Sequence, residues 1–169
     1  GDVDGDGRGD ILIGASSEST WGYAAGAAYL VLSSSLGAAS EFDLGDADII
    51  VRGQSSGDVL SSALASAGDV DGDGLDDILI GAYSADAGGS SSGAVYLLLG
   101  SSLGSPGEID VSDVDYTFVG ENIDDLAGKS LSGGDIDGDG LSDLLIAANN
   151  ESSAGTEFGA TYVVLGSSL

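Results

Sequence analysis

A seven-residue segment, Gly-Asp-Val-Asp-Gly-Asp-Gly, occupies residues 1–7, returns at 68–74 and, with Ile136 in place of Val, returns again at 134–140, so the spacings are 67 and 66 residues. A fixed period of this size constrains the fold more than any local propensity does, because every copy must make the same unit and bury the face that its neighbour leaves open. The flanks keep the same step. Each acidic segment runs into an apolar stretch at 11–15, 78–82 and 144–148. A Gly-Ala-x-Tyr segment follows from Gly26, Gly93 and Gly159, and Ser-Ser-Leu closes each copy at 34–36, 101–103 and 167–169. The linking stretches match as well, residues 46–53 aligning with 113–120 at an offset of 67.

Within one unit the segments near 11–15, 27–32, 48–53 and 60–67 are four to eight residues long, apolar or alternating, and bounded by Gly, Ser and Asp. That is the signature of short strands, and no segment sustains a helical period. Four short strands repeated at a fixed interval predict an all-β chain of β-propeller blades, each a four-stranded antiparallel sheet. Counting strands gives about two and a half to three blades of an incomplete ring: blade 1 over 1–59 without its innermost strand, a complete blade 2 over 60–126, and blade 3 over 127–169 without its outermost strand. Propellers close with four to eight blades. The expectation is therefore either an excerpt of a longer propeller or self-association through open blade edges.

Charge narrows the function. The chain carries 29 Asp and Glu against 3 Lys and Arg, a net charge of −26, with no His, Cys or Met. Such a polyanion does not neutralise phosphates, so neither a nucleic acid nor an anionic membrane surface is expected as a partner. Without His or Cys there is no zinc site, no thiol nucleophile and no Ser-His-Asp triad. No apolar run approaches the length of a bilayer span, so no membrane insertion is expected.

The acidic loops read Asp-x-Asp-x-Asp-Gly-x-x-Asp: Asp2, Asp4, Asp6 and Asp10; Asp69, Asp71, Asp73 and Asp77; Asp135, Asp137, Asp139 and Asp143. Alternate carboxylates on a tight glycine turn converge on one hard cation, and the backbone carbonyl of Arg8, Leu75 or Leu141 supplies a further oxygen. Ca2+, which takes six to eight oxygens in a tolerant geometry, is the expected ion at each of three sites, ahead of Mg2+ with its stricter octahedron. Four like charges within a few ångströms cost roughly 4 kcal/mol per close pair at an effective dielectric near 20, which argues against plain solvated turns. The spacing also resembles the start of an EF-hand loop. That reading fails, because position twelve holds Ile13, Ile80 and Ile146 instead of a bidentate Glu, and a strand follows instead of a helix.

Loop, apolar strand and Gly-Ala-x-Tyr, recurring in that order, resemble the FG-GAP repeat of the integrin α-subunit N-terminal β-propeller and its bacterial and archaeal relatives. The resemblance covers essentially the whole chain. It departs at the Phe-Gly, which is Leu60-Ser61 in one unit and Leu126-Ala127-Gly128 in the next, and at Gly-Ala-Pro, which is Gly-Ala-Ser, Gly-Ala-Tyr and Ala-Ala-Asn. It implies that each metal loop joins the innermost strand of a blade to the next one out. It further implies an opposite face built from loops at 16–25, 83–92, 149–158, 54–59 and 121–126, which in the family carries ligands, here a protein or a glycan. An extracellular or cell-surface binding or adhesion module follows as the expected function, with the propeller of a polysaccharide- or lipid-active enzyme as the alternative. For that alternative the carboxylates outside the metal loops on the presumed ligand face are Glu18, Asp86, Glu151 and Glu157, and nothing pairs them by spacing.

Four smaller features are weighed against the repeat. Arg8-Gly9-Asp10 is an integrin-recognition tripeptide, but it falls where the other copies read Leu75-Asp76-Asp77 and Leu141-Ser142-Asp143, which makes Asp10 an expected metal ligand. Tyr29, Tyr96 and Tyr162 recur at the unit spacing and read as sheet packing. Trp21 and Tyr23 have no counterpart in the other units and are candidates for a loop contact. Asn150-Glu151-Ser152 fits a glycosylation sequon, a weak signal.

Overall fold

The repeat becomes three sheets. The computed structural model describes residues 1–37, 40–151 and 159–169. The strands in chain order are β1 (Ile11–Ala15), β2 (Ala27–Val31), β3 (Ile49–Arg52), β4 (Ala63–Gly68), β5 (Asp77–Ala82), β6 (Ala94–Leu98), β7 (Gly107–Asp110), β8 (Tyr116–Val119), β9 (Ala127–Gly134), β10 (Asp143–Ala148) and β11 (Ala160–Val164). They assemble as β1-β2-β3-β7, β4-β5-β6-β8 and β9-β10-β11. The chain is thus all-β, with incomplete propeller blades at both ends, and no α-helix occurs among the described residues.

The register repeats with the sequence. Ile13 lies opposite Tyr29, Ile80 opposite Tyr96 and Ile146 opposite Tyr162, so the periodic tyrosines are cross-strand partners within each sheet. The change of spacing from 67 to 66 has a local cause. In β4, Ser66 pairs with Ile78 and Gly68 with Asp77, which leaves Ala67 as the extra residue of a β-bulge. In β9, Gly133 and Gly134 pair with the consecutive residues Leu144 and Asp143.

Two apolar layers hold the sheets together. Leu30, Ile49 and Val51 of the first sheet meet Ile78, Ile80, Tyr96 and Leu98 of the second. The other face of the second sheet, with Leu79, Val95 and Leu97, meets Leu144 and Ile146 of the third. Buried on both faces, β5 has no exposed position, which explains its unbroken apolar run where an edge sheet alternates. Each fully buried Leu or Ile contributes about 1.5–3 kcal/mol. The inner strands β4 and β9 approach so closely that a Cβ on Gly133 would lie 2.2 Å from the Ala67 carbonyl oxygen.

One pairing lies outside the antiparallel pattern. Strand β7, from the stretch between β6 and β8, leaves the second sheet and adds in parallel to β3 of the first, with Val51 beside Ile109 and Arg52 beside Asp110. Arg52 sits 3.9 Å from Glu108 and 3.6 Å from Asp110, and Ile109 turns inward onto the layer between the sheets. The three closing Ser-Ser-Leu segments form short 3-10 turns. Two are braced alike: Leu32 and Ser35 donate to Asp48, and Leu99 and Ser102 donate to Asp115.

Candidate metal centres

Each acidic loop runs into the strand that follows it, β1, β5 or β10, through the same hydrogen-bond wiring. The first Asp accepts two backbone N–H groups, Gly5 and Gly7 onto Asp2 (both 2.9 Å), Gly72 and Gly74 onto Asp69 (2.7 and 2.9 Å), and Gly138 and Gly140 onto Asp135 (2.7 and 3.1 Å). These glycines all have positive φ, between 74° and 94°, which a side chain would oppose. The second Asp accepts from the third and the third from Arg8, Leu75 or Leu141, again by backbone N–H. The loop thus bends tightly while its carboxylates stay gathered.

The last Asp is held differently. Asp77 accepts from Val70 (2.8 Å) and Gly100 (2.9 Å), Asp143 from Ile136 (2.7 Å) and Gly166 (2.9 Å), and Asp10 from Val3 (2.9 Å) and Ser33 (2.8 Å). It therefore ties its own loop to the turn that closes the unit. Asp77 and Asp143 are fully buried. Burial between the first two sheets pushes the Asp77 carboxyl up to about 6, outweighing its two N–H donors, with Asp71 and Asp73 adding like charge. Gly1 and Val3 of the first acidic loop and Leu12 and Leu30 of the first sheet close over it. Among the described residues no further sheet packs over Asp143, and there the N–H donors Gly166 and Ile136 prevail and hold the carboxyl below its ordinary range.

The loops bring together three carboxylate trios: Asp2, Asp4 and Asp6; Asp69, Asp71 and Asp77; Asp135, Asp137 and Asp143. In each, one oxygen per residue lies within 4.8 Å of the others. One ion with metal–oxygen distances of about 2.3–2.6 Å spans that separation. Each trio is hard, anionic oxygen, a donor set that fits Ca2+ or Mg2+ and not a soft metal. Asp10, Asp73 and Asp139 stand beside the trios, and Arg8, Leu75 and Leu141 show their N–H turned to the third Asp. The loops also lie side by side. Asp2 exchanges backbone bonds with Asp76, whose N–H donates to the Asp2 carbonyl (2.9 Å) and whose carboxylate accepts the Asp2 N–H (2.8 Å). Ser142 repeats the first of these onto the Asp69 carbonyl (2.8 Å).

The carboxylates Asp48, Asp115 and Asp76 were not singled out by sequence reasoning as structural. Their signal was present, since Asp48 and Asp115 recur at the 67-residue offset together with Ser35 and Ser102.

At the other ends of the strands, the linking loop docks on the β1–β2 loop in the first sheet and on the β5–β6 loop in the second. Gly57, Val59 and Leu60 donate to the carbonyls of Tyr23, Ala24 and Ala25, and Asp124, Leu126 and Ala127 to those of Ser90, Ser91 and Ser92. Tyr23 is 82% exposed there and Ile123 62%. Between the first two sheets this face holds a polar cavity of about 380 Å³ lined by Gln54, Ser55, Asp58, Asp86 and Tyr96. Burial, then the nearby Asp86, raises the Asp58 carboxyl above its ordinary range. Glu18 is engaged by Thr20, Asp86 by the Ser91 N–H (2.8 Å), and Glu151 is buried. Glu157, most of the 149–158 loop and Ser152 of the sequon lie outside the described residues. In the Arg8-Gly9-Asp10 tripeptide the Asp10 carboxylate is taken up by its two N–H donors. Among the described residues no helix is long and apolar enough to cross a membrane.

Comparison with known proteins agrees with this repeat. The family model described as FG-GAP repeat matches residues 1–31, 62–98 and 127–164, one match per acidic loop. No curated protein matches the chain.

Proposed function

The chain belongs to the FG-GAP repeat family, and on that premise we propose that it is a calcium-binding propeller segment serving as an extracellular binding or adhesion module. FG-GAP propellers are typically binding or structural modules and occur in extracellular proteins. The observation that carries the calcium assignment is a carboxylate trio within 4.8 Å in each of the three loops, the first drawing on its third Asp and the other two on their last, over a backbone wiring that the loops share. In this reading Asp2, Asp4 and Asp6 and their equivalents supply most of the oxygens. Each oxygen of Asp10, Asp77 and Asp143 accepts one hydrogen bond and keeps a lone pair for the ion. The carbonyls of Arg8, Leu75 and Leu141 complete the shell. Because adjacent loops are bonded to each other, three bound ions stiffen one face of the blades while the opposite face presents its loops to a protein or glycan ligand.

The test is direct. A ligand that binds only the folded loops adds RT ln(1 + [L]/Kd) per site, so thermal melts in millimolar Ca2+ should rise well above those of metal-stripped protein, with calorimetry giving three ions per chain. Superimposable melts would refute the assignment. For the opposite face, a glycan array probed with calcium-loaded protein should give hits that Tyr23→Ala combined with Ile123→Ala abolishes; hits indifferent to that change would place the ligand elsewhere.

A further inference from the structure

The polar cavity of about 380 Å³ on the face opposite the metal loops lies between the two four-stranded sheets. Gln54, Ser55 and Asp58 come from the loop after β3, Asp86 from the β5–β6 loop and Tyr96 from β6, and small apolar side chains supply the rest of the wall. Tyr96 is only 8% exposed, yet its hydroxyl makes no hydrogen bond among the described residues. One unit later the Tyr162 hydroxyl has Glu121 within hydrogen-bonding reach. Glu121 occupies the position that Gln54 holds at the 67-residue offset, and the Gln54 amide is also without a partner among the described residues. A buried phenol normally has a partner, and leaving it without one lowers stability.

The same cavity gathers negative charge with no cation to meet it. Burial, then the Asp86 charge, raises the Asp58 carboxyl above its ordinary range, and a hydrogen bond from Ser55 offsets only part of this. The basic side chains of the chain stand elsewhere: Arg52 on Glu108 and Asp110, Lys129 over the Tyr83 ring, and Arg8 in the first metal loop. A fold that keeps an unpartnered phenol and two like charges in one cavity gives up stability for a ligand.

We infer that this cavity binds an amino sugar in its ammonium form, with the ammonium group between Asp58 and Asp86 and the sugar oxygens on Tyr96 and Gln54. Hydrogen-bonding capacity selects this class. The carboxylates only accept, so they call for a positively charged donor, whereas the Gln54 amide N–H groups and the Tyr96 hydroxyl donate and call for oxygen. A lysine side chain answers the first demand and a neutral sugar the second; an amino sugar carries both groups on one ring, whose C–H face suits the small apolar walls. A divalent ion fits poorly, because among the described residues no third carboxylate joins this pair and the amide and phenol donors would be left facing the metal. The inference rests on the reading of this face as the ligand face and names the class of ligand it takes.

The experiment uses the calcium-loaded chain and three labelled probes: a glucosamine trimer, its N-acetylated form, and N-acetyl-trilysine amide, which matches the trimer in ammonium groups. Binding is measured at about pH 6.5, where the sugar amine is protonated, and in about 0.15 M salt, which screens general attraction to the acidic surface. The glucosamine trimer should bind at least about tenfold more tightly than either control. Asp58→Asn should weaken it at least about tenfold, and Tyr96→Phe, which keeps the ring, about fivefold. Both variants should melt at the parent temperature or above it, since each removes a group the fold holds at a cost. Equal binding of trilysine, tighter binding of the N-acetylated trimer, a calcium ion lost with Asp58→Asn, or affinity losses matched by lower melting temperatures would each overturn the inference. Glycan-array hits that survive Asp58→Asn and Tyr96→Phe but not the Tyr23→Ala and Ile123→Ala pair would overturn it while leaving the ligand face in place.

Discussion

Asp77 gives the sharpest physical test of how the metal loops are built. Its carboxyl is fully buried and, in the absence of metal, pushed from the ordinary 3.8 to about 6. A carboxyl raised on folding binds its proton more tightly in the folded state, so metal-free protein loses stability as pH rises from about 4 through 6. The full difference is about 3 kcal/mol, and the part falling between about pH 5 and pH 7 is about 1.5 kcal/mol. For a chain of this length that is a Tm about 3–6 °C higher at pH 5 than at pH 7. Asp58, also raised, acts in the same direction, whereas Asp110 and Asp143, both lowered, lose their contribution only below their ordinary range. Bound Ca2+ stabilises the ionised Asp77, so the calcium-loaded protein should show the opposite trend, its metal-dependent stabilisation shrinking as protons compete below about pH 6. The assay is a set of melts of metal-stripped and calcium-loaded protein across this range, repeated with Asp77→Asn, which should flatten the metal-free slope. Metal-free stability that is constant or rises between pH 5 and 7 would refute the reasoning.

Four further outcomes are expected. Asp71→Ala should lower the bound calcium from three ions to two at little cost to metal-free stability, whereas Asp69→Ala, which removes the acceptor of the Gly72 and Gly74 N–H groups, should cost about 2–3 kcal/mol even without metal, as urea melts of both states will show. Gly93→Ala should destabilise by about 3 kcal/mol or more, because Gly93 has φ +80° and its Cβ would meet the Ala127 carbonyl oxygen at 2.2 Å; Gly107→Ala, with open space, is the control. Arg8→Ala should change stability by no more than about 0.5 kcal/mol and leave calcium stoichiometry and any cell attachment unaltered, since Arg8 is exposed. Arg52→Ala should cost about 1 kcal/mol or less and speed amide exchange in β7 selectively.

The period of the sequence determined the unit, its strands and the acidic loops, because every copy presents the same apolar stretch, the same glycines and the same carboxylates. Strand identity follows from residues adjacent in the chain, and so does the gathering of Asp2, Asp4 and Asp6 on a turn that only glycine at the fourth and sixth positions allows. The double role of Asp77 was not legible in this way. Its spacing marks it as one more loop carboxylate, while its burial and its bond to Gly100 depend on a residue 23 positions away and on a neighbouring sheet that closes over it. The same holds for β7. Gly107–Asp110 alternates weakly and sits in a linking stretch, and what makes it a strand is the free edge of β3 together with the Arg52 charge, both supplied by another unit. Local sequence fixes which backbone shapes are cheap. Which edges meet, which carboxylates are stripped of water and which apolar surfaces stay open is decided only when the units pack against one another, since desolvation and edge pairing are properties of neighbours in space and not of neighbours in the chain.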